Sequence, residues 1–147
     1  MKKIATAVML LISLSVKAQI ETPVHWSYGA KMTSATEATV FLKATIADGW
    51  HIYSQKTSPG GPVKTSFIFH PSEEYTLISK TAEPQAVTKF EPTFGVNVSF
   101  FEHSVIFQQK VSLAKPGTIV KGTLRYMVCN DEKCLPPADL DFSIPVQ

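Results

Sequence analysis

Apolar and polar residues alternate along much of this chain, and a period of two residues is the pattern of half-buried β-strands. The clearest case is the segment 39–47, in which every second residue is apolar: Val40, Leu42, Ala44 and Ile46. The same pattern predicts six further strands, at 63–70, 75–80, 96–101, 104–113, 118–129 and 138–146. No segment carries the apolar stripe of an amphipathic helix, so the pattern predicts an all-β protein.

Turn-forming residues separate the predicted strands at intervals typical of sandwiches and barrels. Proline, glycine and serine cluster between the strands at 59–62, 71–72, 116–117 and 136–137. The chain shows no internal repeat, linker or low-complexity segment. We therefore predict an immunoglobulin-like antiparallel β-sandwich, and a small closed barrel is the alternative.

The first 18 residues have the three parts of a signal peptide: two lysines, an apolar run at 4–14, and a short segment that ends at Ala18. The apolar run is too short to span a bilayer, and no later stretch reaches the roughly 20 apolar residues of a membrane helix. We therefore expect an exported protein that is not embedded in a membrane. Its mature part, residues 19–147, has the usual size of one domain.

The positive charge of the chain comes mostly from the predicted signal peptide. Three lysines and no acidic residue lie within 1–18, so removing this segment lowers the net charge from +2 to −1. The remainder has no basic stripe with interleaved aromatic residues, which argues against nucleic-acid binding. It also has no polybasic patch for a membrane surface.

The only two cysteines of the chain, Cys129 and Cys134, are its candidate reactive residues. Export into an oxidising compartment favours a disulfide between them. Their Cα atoms would then lie within about 4.4–6.8 Å, whereas five extended steps cover about 17 Å, so the segment must reverse direction. Asn130 and Asp131 suit such a reversal because their side chains bond to neighbouring backbone groups.

A disulfide that closes so short a loop stabilises a protein only modestly, by about 2 kcal/mol in the chain-entropy estimate. A local bridge at the end of a strand is also easy for another protein to reach, so we favour a redox-active pair over a static one. Asp131 and Glu132 should raise the pKa values of the cysteines, whereas Lys133 should lower them. The net shift is left open by the sequence.

Zinc binding is the other interpretation of two nearby cysteines, but a zinc site needs about four ligands. None of the four histidines has a local spacing that would complete such a site: His25, His51, His70 and His103. We therefore expect no metal and no other cofactor. His51 or His103 could also shuttle protons, although a lone histidine in a strand more often lies at the surface or in satisfied packing.

The segment 126–137, YMVCNDEKCLPP, resembles the cysteine segment of the N-terminal periplasmic domain of DsbD. The segment 48–54, DGWHIYS, resembles the aromatic strand of that family, and Thr93-Phe94-Gly95 lies where the family has its cap loop. The similarity extends from about residue 20 to the C-terminus.

This resemblance implies an immunoglobulin-like thiol:disulfide oxidoreductase component of the periplasm. It would accept electrons from a membrane donor and pass them to periplasmic thioredoxin-like proteins by mixed disulfides. Cys134 would be the attacking thiol and Cys129 the resolving thiol, while Phe94 or Thr93 would shield the pair. Because the sequence ends at Gln147 without a membrane portion, we expect the donor to be a separate protein and this chain to be a monomer.

Aromatic residues are predicted to form a wall around the cysteines. Tyr53 and Tyr126 are the main candidates, and Trp50 is a third. Alternating aromatic residues on strands are, however, more often part of the core or of cross-strand pairs.

Two other functions remain open at this stage. One is a non-catalytic immunoglobulin-like binding module with a static disulfide, which would use its loops and one exposed ring of the Phe100-Phe101 pair. The other is a folding helper that holds client proteins without redox chemistry, in which case both cysteines would be dispensable.

Overall fold

The structure is a computed structural model that describes residues 21–147, so the predicted signal peptide at 1–18 lies outside the described residues. The described part of the chain forms eleven strands: β1 (Val24–Met32), β2 (Glu37–Ile46), β3 (His51–Tyr53), β4 (Ser66–Phe69), β5 (Tyr75–Ala82), β6 (Val87–Glu91), β7 (Val96–Glu102), β8 (Ser104–Leu113), β9 (Ile119–Tyr126), β10 (Val128–Cys129) and β11 (Ala138–Pro145). Within these residues there is no helix long and apolar enough to cross a membrane.

Two antiparallel sheets form the main sandwich. The first has the strand order β1-β2-β8-β5 and the second the order β11-β9-β4. Their apolar faces share one core, to which the first sheet contributes Val40, Leu42, Phe107 and Val111 and the second contributes Val120, Leu124, Phe142 and Ile144. This arrangement confirms the predicted all-β, immunoglobulin-like antiparallel sandwich.

Strict alternation explains why these segments form strands with one buried face. In β8 every second residue from Val105 to Leu113 is buried and the residues between them are mostly exposed. Burying a phenylalanine such as Phe107 contributes about 1.5–3 kcal/mol relative to leaving it exposed. A shift of the register by one residue would lose this contribution along the whole strand.

One buried position of β8 is polar. The side chain of Gln109 is almost fully buried, and its amide donates to the backbone oxygens of Ile78 and Ser79. The Thr81 hydroxyl donates to the Gln109 carbonyl oxygen at 2.8 Å. These partners lie in β5, where the pairing with β8 is irregular between Ile78 and Ala82. Gln109 therefore satisfies backbone groups that the irregular ladder leaves free.

All seven predicted strands are present, but four strands were not predicted as separate elements. The segment 118–129 divides into β9 and β10, and β3 and β6 carry no usable alternation. β1 was missed although it does alternate, with apolar residues at Val24, Trp26, Tyr28, Ala30 and Met32. β6 is an edge strand whose residues are almost all exposed, and β3 is three residues long and buried throughout. Neither pattern has the period of two that identifies a half-buried strand.

A third sheet has the strand order β10-β3-β7-β6 and is connected to the sandwich because β9 leads into β10. One of its faces joins the main core through Ile52, Phe101 and Val128. The other face forms a second cluster that contains Tyr53, Val98, Phe100 and Cys129. Both rings of the Phe100-Phe101 pair are buried, so the expectation of one exposed ring was wrong.

Candidate functional site

The two cysteines face each other across a tight hairpin that follows β10. The backbone N–H of Asn130 donates to the Lys133 oxygen at 2.9 Å, and that of Leu135 donates to the Val128 oxygen at 2.9 Å. Cys129 and Cys134 lie between these two bonded pairs, in a non-hydrogen-bonded position where antiparallel strands come closest. Their Cα atoms are 4.0 Å apart, and the two sulfurs form a disulfide.

Asn130 organises the reversal, as the sequence predicted for the segment 130–131. Its side-chain oxygen accepts hydrogen bonds from the backbone N–H groups of Glu132 and Lys133, at 2.9 and 2.8 Å. The turn is therefore held by backbone and side-chain hydrogen bonds in addition to the disulfide. The Cα separation is slightly below the predicted range because the residues are directly opposed.

The two cysteines differ sharply in exposure. Cys129 is only 2% exposed and belongs to the second cluster, whereas Cys134 is an exposed residue. The strand end buries the first cysteine, and the returning arm of the hairpin presents the second. A molecule that approaches from solvent therefore meets Cys134 first.

Strand pairing places His51 beside the disulfide. Cys129 in β10 is the register partner of His51 in β3, and Tyr53 lies two residues further along on the same face. These residues line a cleft of about 400 Å³ together with Cys134, the turn 130–133, Lys89, Glu91, Thr93 and Phe94. The cleft thus joins residues from three strands, a hairpin and a turn.

His51 and Tyr53 form a hydrogen-bonded pair in this cleft. The His51 Nε2 atom lies 3.1 Å from the Tyr53 hydroxyl, and both side chains are buried. Burial, followed by the nearby positive charge of Lys89, lowers the pKa of the His51 imidazole. Burial, with a smaller effect of Glu91, raises the pKa of Tyr53 to about 12. At neutral pH both groups are therefore uncharged.

The predicted cap residues lie in the turn between β6 and β7, at 92–95. This turn is closed by the backbone N–H groups of Phe94 and Gly95, which donate to the Glu91 oxygen at 3.1 and 2.9 Å. Gly95 has a φ of +69°, a conformation that favours glycine. Phe94 is half-buried and Thr93 is exposed, and both line the cysteine cleft.

The charged residues of the cysteine turn point in different directions. Asp131 and Glu132 are exposed, whereas the Lys133 ammonium pairs with Glu21 at 2.6 Å and lies 6.0 Å from the centre of the Trp50 ring. Trp50 itself packs against the main core. Lys133 and Trp50 therefore connect the turn to the body of the sandwich, and Trp50 is not among the residues that line the cleft.

Tyr126 is not brought to the cysteines. Its ring packs against Trp26 in the main core, with 5.4 Å between the ring centres, and it lines another groove with Val128 and Leu135. Side chains alternate along the segment that joins β9 to β10, so Tyr126 and Cys129 face opposite sides. The odd separation between positions 126 and 129 can be read from the sequence, and it already predicts that the two side chains lie on opposite faces.

Two charged residues of the cleft, Lys89 and Glu91, were missed at the level of the sequence. They lie on the same edge strand, β6, and their charged groups are 3.9 Å apart. The exposed strand gave no alternation signal, so nothing placed it beside the cysteines. Among residues 21–147, no group of three histidine, cysteine or acidic side chains is arranged to hold a metal ion.

The chain matches the family described as thiol:disulfide interchange protein DsbD, N-terminal, over residues 18–144. No curated protein matches the chain. The similar solved structures include two from Neisseria meningitidis and one from Proteus mirabilis. The DsbD N-terminal domain of Neisseria meningitidis in the reduced form is 21% identical, with a TM-score of 0.51 over 81% of this chain and 84% of that chain.

The second similar structure is a complex between the DsbD and PilB N-terminal domains of Neisseria meningitidis. It is 19% identical, with a TM-score of 0.54 over 85% of this chain and 87% of that chain. The third is the N-terminal periplasmic domain of ScsB from Proteus mirabilis, which is 17% identical with a TM-score of 0.61. That alignment covers 84% of this chain but only 46% of the ScsB chain.

Proposed function

This chain belongs to the family of DsbD N-terminal domains, and from that membership we propose that it is a periplasmic thiol–disulfide exchange domain. Residues 19–147 form the exported domain, which acts as a monomer. It takes electrons from a separate membrane donor and passes them to periplasmic thioredoxin-like proteins. Cys129 and Cys134 carry the two electrons in each cycle, and no cofactor takes part.

The unequal exposure of the two cysteines is the observation that carries this proposal. Disulfide exchange requires a thiolate to approach one sulfur in line, so access decides which sulfur reacts. Cys134 is exposed and Cys129 is buried, which supports Cys134 as the sulfur that joins a partner. Cys129 then resolves the mixed disulfide from its position across the hairpin.

The surroundings of the pair support a protected carrier. Phe94 is half-buried at the edge of the cleft and serves as the shield, whereas the exposed Thr93 contributes less. Tyr53 forms the cleft wall on the opposite strand. Because Cys134 is exposed at the rim of this cleft, a docked partner reaches its sulfur there, while the turn 92–95 shields the cleft side of the pair.

The DsbD N-terminal domain of Neisseria meningitidis forms a complex with the PilB N-terminal domain. We extend this docking to the present chain and infer that its acceptors are protein domains rather than small thiols. The half-open cleft beside Cys134 suits such an encounter, because the exposed cysteine lies at its rim.

The first test is the reduction potential of the purified protein, measured by titration with glutathione or dithiothreitol and thiol trapping. We expect a value within the range of exchange proteins, about −180 to −270 mV. A value below about −300 mV would identify a structural disulfide and would favour a binding module.

The second test separates the roles of the two cysteines with matched variants. Cys129→Ala leaves the exposed thiol and should form a stable mixed disulfide with a thioredoxin variant that keeps only its attacking cysteine, activated as a thionitrobenzoate disulfide. Cys134→Ala leaves the buried thiol and should react at least tenfold more slowly. Equal trapping by both variants would contradict the assignment of Cys134 as the attacking thiol.

A further inference from the structure

Beyond the exchange of electrons, each cycle must move protons. When Cys129 resolves a mixed disulfide, its thiol must lose a proton, because the thiolate is the nucleophile. Cys129 is 2% exposed, so water has little access to this proton. A thiol in apolar surroundings also ionises less readily than one in water. A nearby base would remove this obstacle.

We propose that His51 is the proton acceptor for Cys129 and that Tyr53 positions the imidazole for this role. The inference rests on the proposed exchange function. Its structural basis is the register of the third sheet, in which His51 is the direct cross-strand neighbour of Cys129. Directly opposed residues on one sheet face bring their Cβ atoms to about 4.5–5.5 Å.

The Tyr53 hydroxyl engages one nitrogen of the imidazole and leaves the other available. The Tyr53 hydroxyl lies 3.1 Å from Nε2 of His51, and its ring meets the imidazole edge to face at 5.2 Å between centres. When the Nε2–H group donates to the Tyr53 oxygen, Nδ1 keeps its lone pair and can accept a proton. Phe100, with its ring centre 5.1 Å from that of the imidazole, confines the ring further.

The imidazole of His51 is unprotonated at neutral pH, so its lone pair is free. Burial and the charge of Lys89 lower its pKa, and this outweighs the acidic residues that raise it. The same shift makes the imidazole a weak base, so the proton leaves the thiol only as the sulfur attacks. The titratable and charged groups that face it come from all surrounding elements: Tyr53 on β3, Lys89 and Glu91 on β6, Glu102 on β7 and Asp131 in the cysteine turn.

The step balances in atoms and electrons. At the start, Cys134 is joined to a partner's sulfur and Cys129 is a thiol. The Cys129 proton passes to His51, and the freed electron pair of the Cys129 sulfur attacks the Cys134 sulfur. The bond between Cys134 and the partner breaks, and the partner's sulfur leaves as a thiolate with both electrons. His51 then gives its proton to that thiolate or to water, and the domain's disulfide is restored.

The size of the expected effect follows from the ionisation of a thiol. A free cysteine with a pKa of about 8.5 is only about 3% ionised at pH 7. A neighbouring base can at most remove this limit, which would accelerate resolution by up to about 30-fold. The gain vanishes at high pH, where the thiol ionises without help. A role in proton transfer therefore predicts a change in the pH profile, which a structural role does not.

The test uses the reduced protein and Ellman's reagent, which reports both steps. The first release of thionitrobenzoate marks attack by Cys134, and the second marks resolution by Cys129. We compare His51→Gln with a matched control, His25→Gln, at an exposed position of β1. We expect the second phase of His51→Gln to be slower by up to about 30-fold at pH 7, to rise steeply with pH, and to approach wild type above about pH 9.

The first phase should stay within about twofold of wild type in both variants. Tyr53→Phe keeps the ring but removes the hydroxyl, and it should slow the second phase by a smaller factor. A His51→Gln profile parallel to wild type, or an equal slowing of both phases, would overturn the role of His51. Absence of the first phase in the wild type would instead overturn the exchange function itself, and this role with it.

Discussion

Reduction of the Cys129–Cys134 disulfide should lower the free energy of unfolding by only about 2 kcal/mol and leave the hairpin in place. The bridge closes a loop of six residues, for which the chain-entropy relation gives about 7 cal/mol/K, or about 2 kcal/mol at 25 °C. The folded state loses little else, because the backbone bonds at Asn130 and Leu135 and the side-chain bonds of Asn130 do not depend on the sulfurs.

The loss of stability on reduction can also be measured as a difference in reduction potential. By a thermodynamic cycle, the loss of stability on reduction equals the difference between the potentials of the folded and the unfolded disulfide. For a two-electron couple, 1.4 kcal/mol corresponds to about 30 mV, so 2 kcal/mol corresponds to about 45 mV. The folded domain should therefore have a potential about 45 mV lower than the same chain in denaturant.

Urea unfolding of the oxidised and the dithiothreitol-reduced protein gives the first number, and redox titration with and without denaturant gives the second. The double variant Cys129→Ala/Cys134→Ala is the control, since its stability should not respond to dithiothreitol. A loss above about 4 kcal/mol would mean that the reduced hairpin rearranges. A loss near zero would mean that the unfolded chain already holds the turn, and either result would refute the reasoning.

Three further predictions concern the scaffold. Gly122→Ala should destabilise by about 1–3 kcal/mol in urea unfolding, because the new Cβ would lie 2.5 Å from both the Ile68 oxygen and the Phe142 ring; unchanged stability would contradict this packing. Gln109→Leu should cost about 1–3 kcal/mol because buried partners in β5 lose their hydrogen bonds, and Gln109→Glu at low pH should restore part of the loss. Tyr53 ionises near pH 10 when unfolded but near 12 when folded, so its contribution to stability is complete below pH 10 and is lost as the pH rises to 12. Tyr53→Phe should therefore show a shallower fall in stability over this interval, and equal slopes would contradict the shifted pKa.

Long alternating strands could be predicted from the sequence, and the short strands around the site could not. In β8 the alternation from Val105 to Leu113 identifies the strand and its buried face, apart from the polar position of Gln109. β3 pairs with β7, which is distant in sequence, and such pairing leaves no local pattern. β6 forms a hairpin with β7 across the turn 92–95, but its exposed residues show no alternation. These two short strands carry His51, Lys89 and Glu91.

The disulfide and its reversal were predictable because both cysteines and the turn-forming Asn130 are close in sequence. Among the neighbours of the pair, Tyr53, Thr93 and Phe94 were named from the family resemblance and line the cleft. The place of His51 opposite Cys129 was not predictable, since it depends on the register of β10 with β3. Tyr126 shows the opposite case, in which a local rule was available: its odd separation from Cys129 places it on the other face of a continuous strand. To predict that a residue lines the cleft, one must know which strands pair. To exclude a residue on the same strand, it is enough to know whether its separation from Cys129 is odd or even.

The hydrogen bonds of the cysteine hairpin carry a consequence for how partners tell the two redox states apart. Because the backbone hydrogen bonds at Asn130 and Leu135 do not involve the sulfurs, we expect oxidation to change the shape of the domain very little. In the proposed exchange cycle, an electron donor and an electron acceptor would then meet nearly the same surface. They would have to distinguish the reduced from the oxidised domain by the chemistry of the sulfurs.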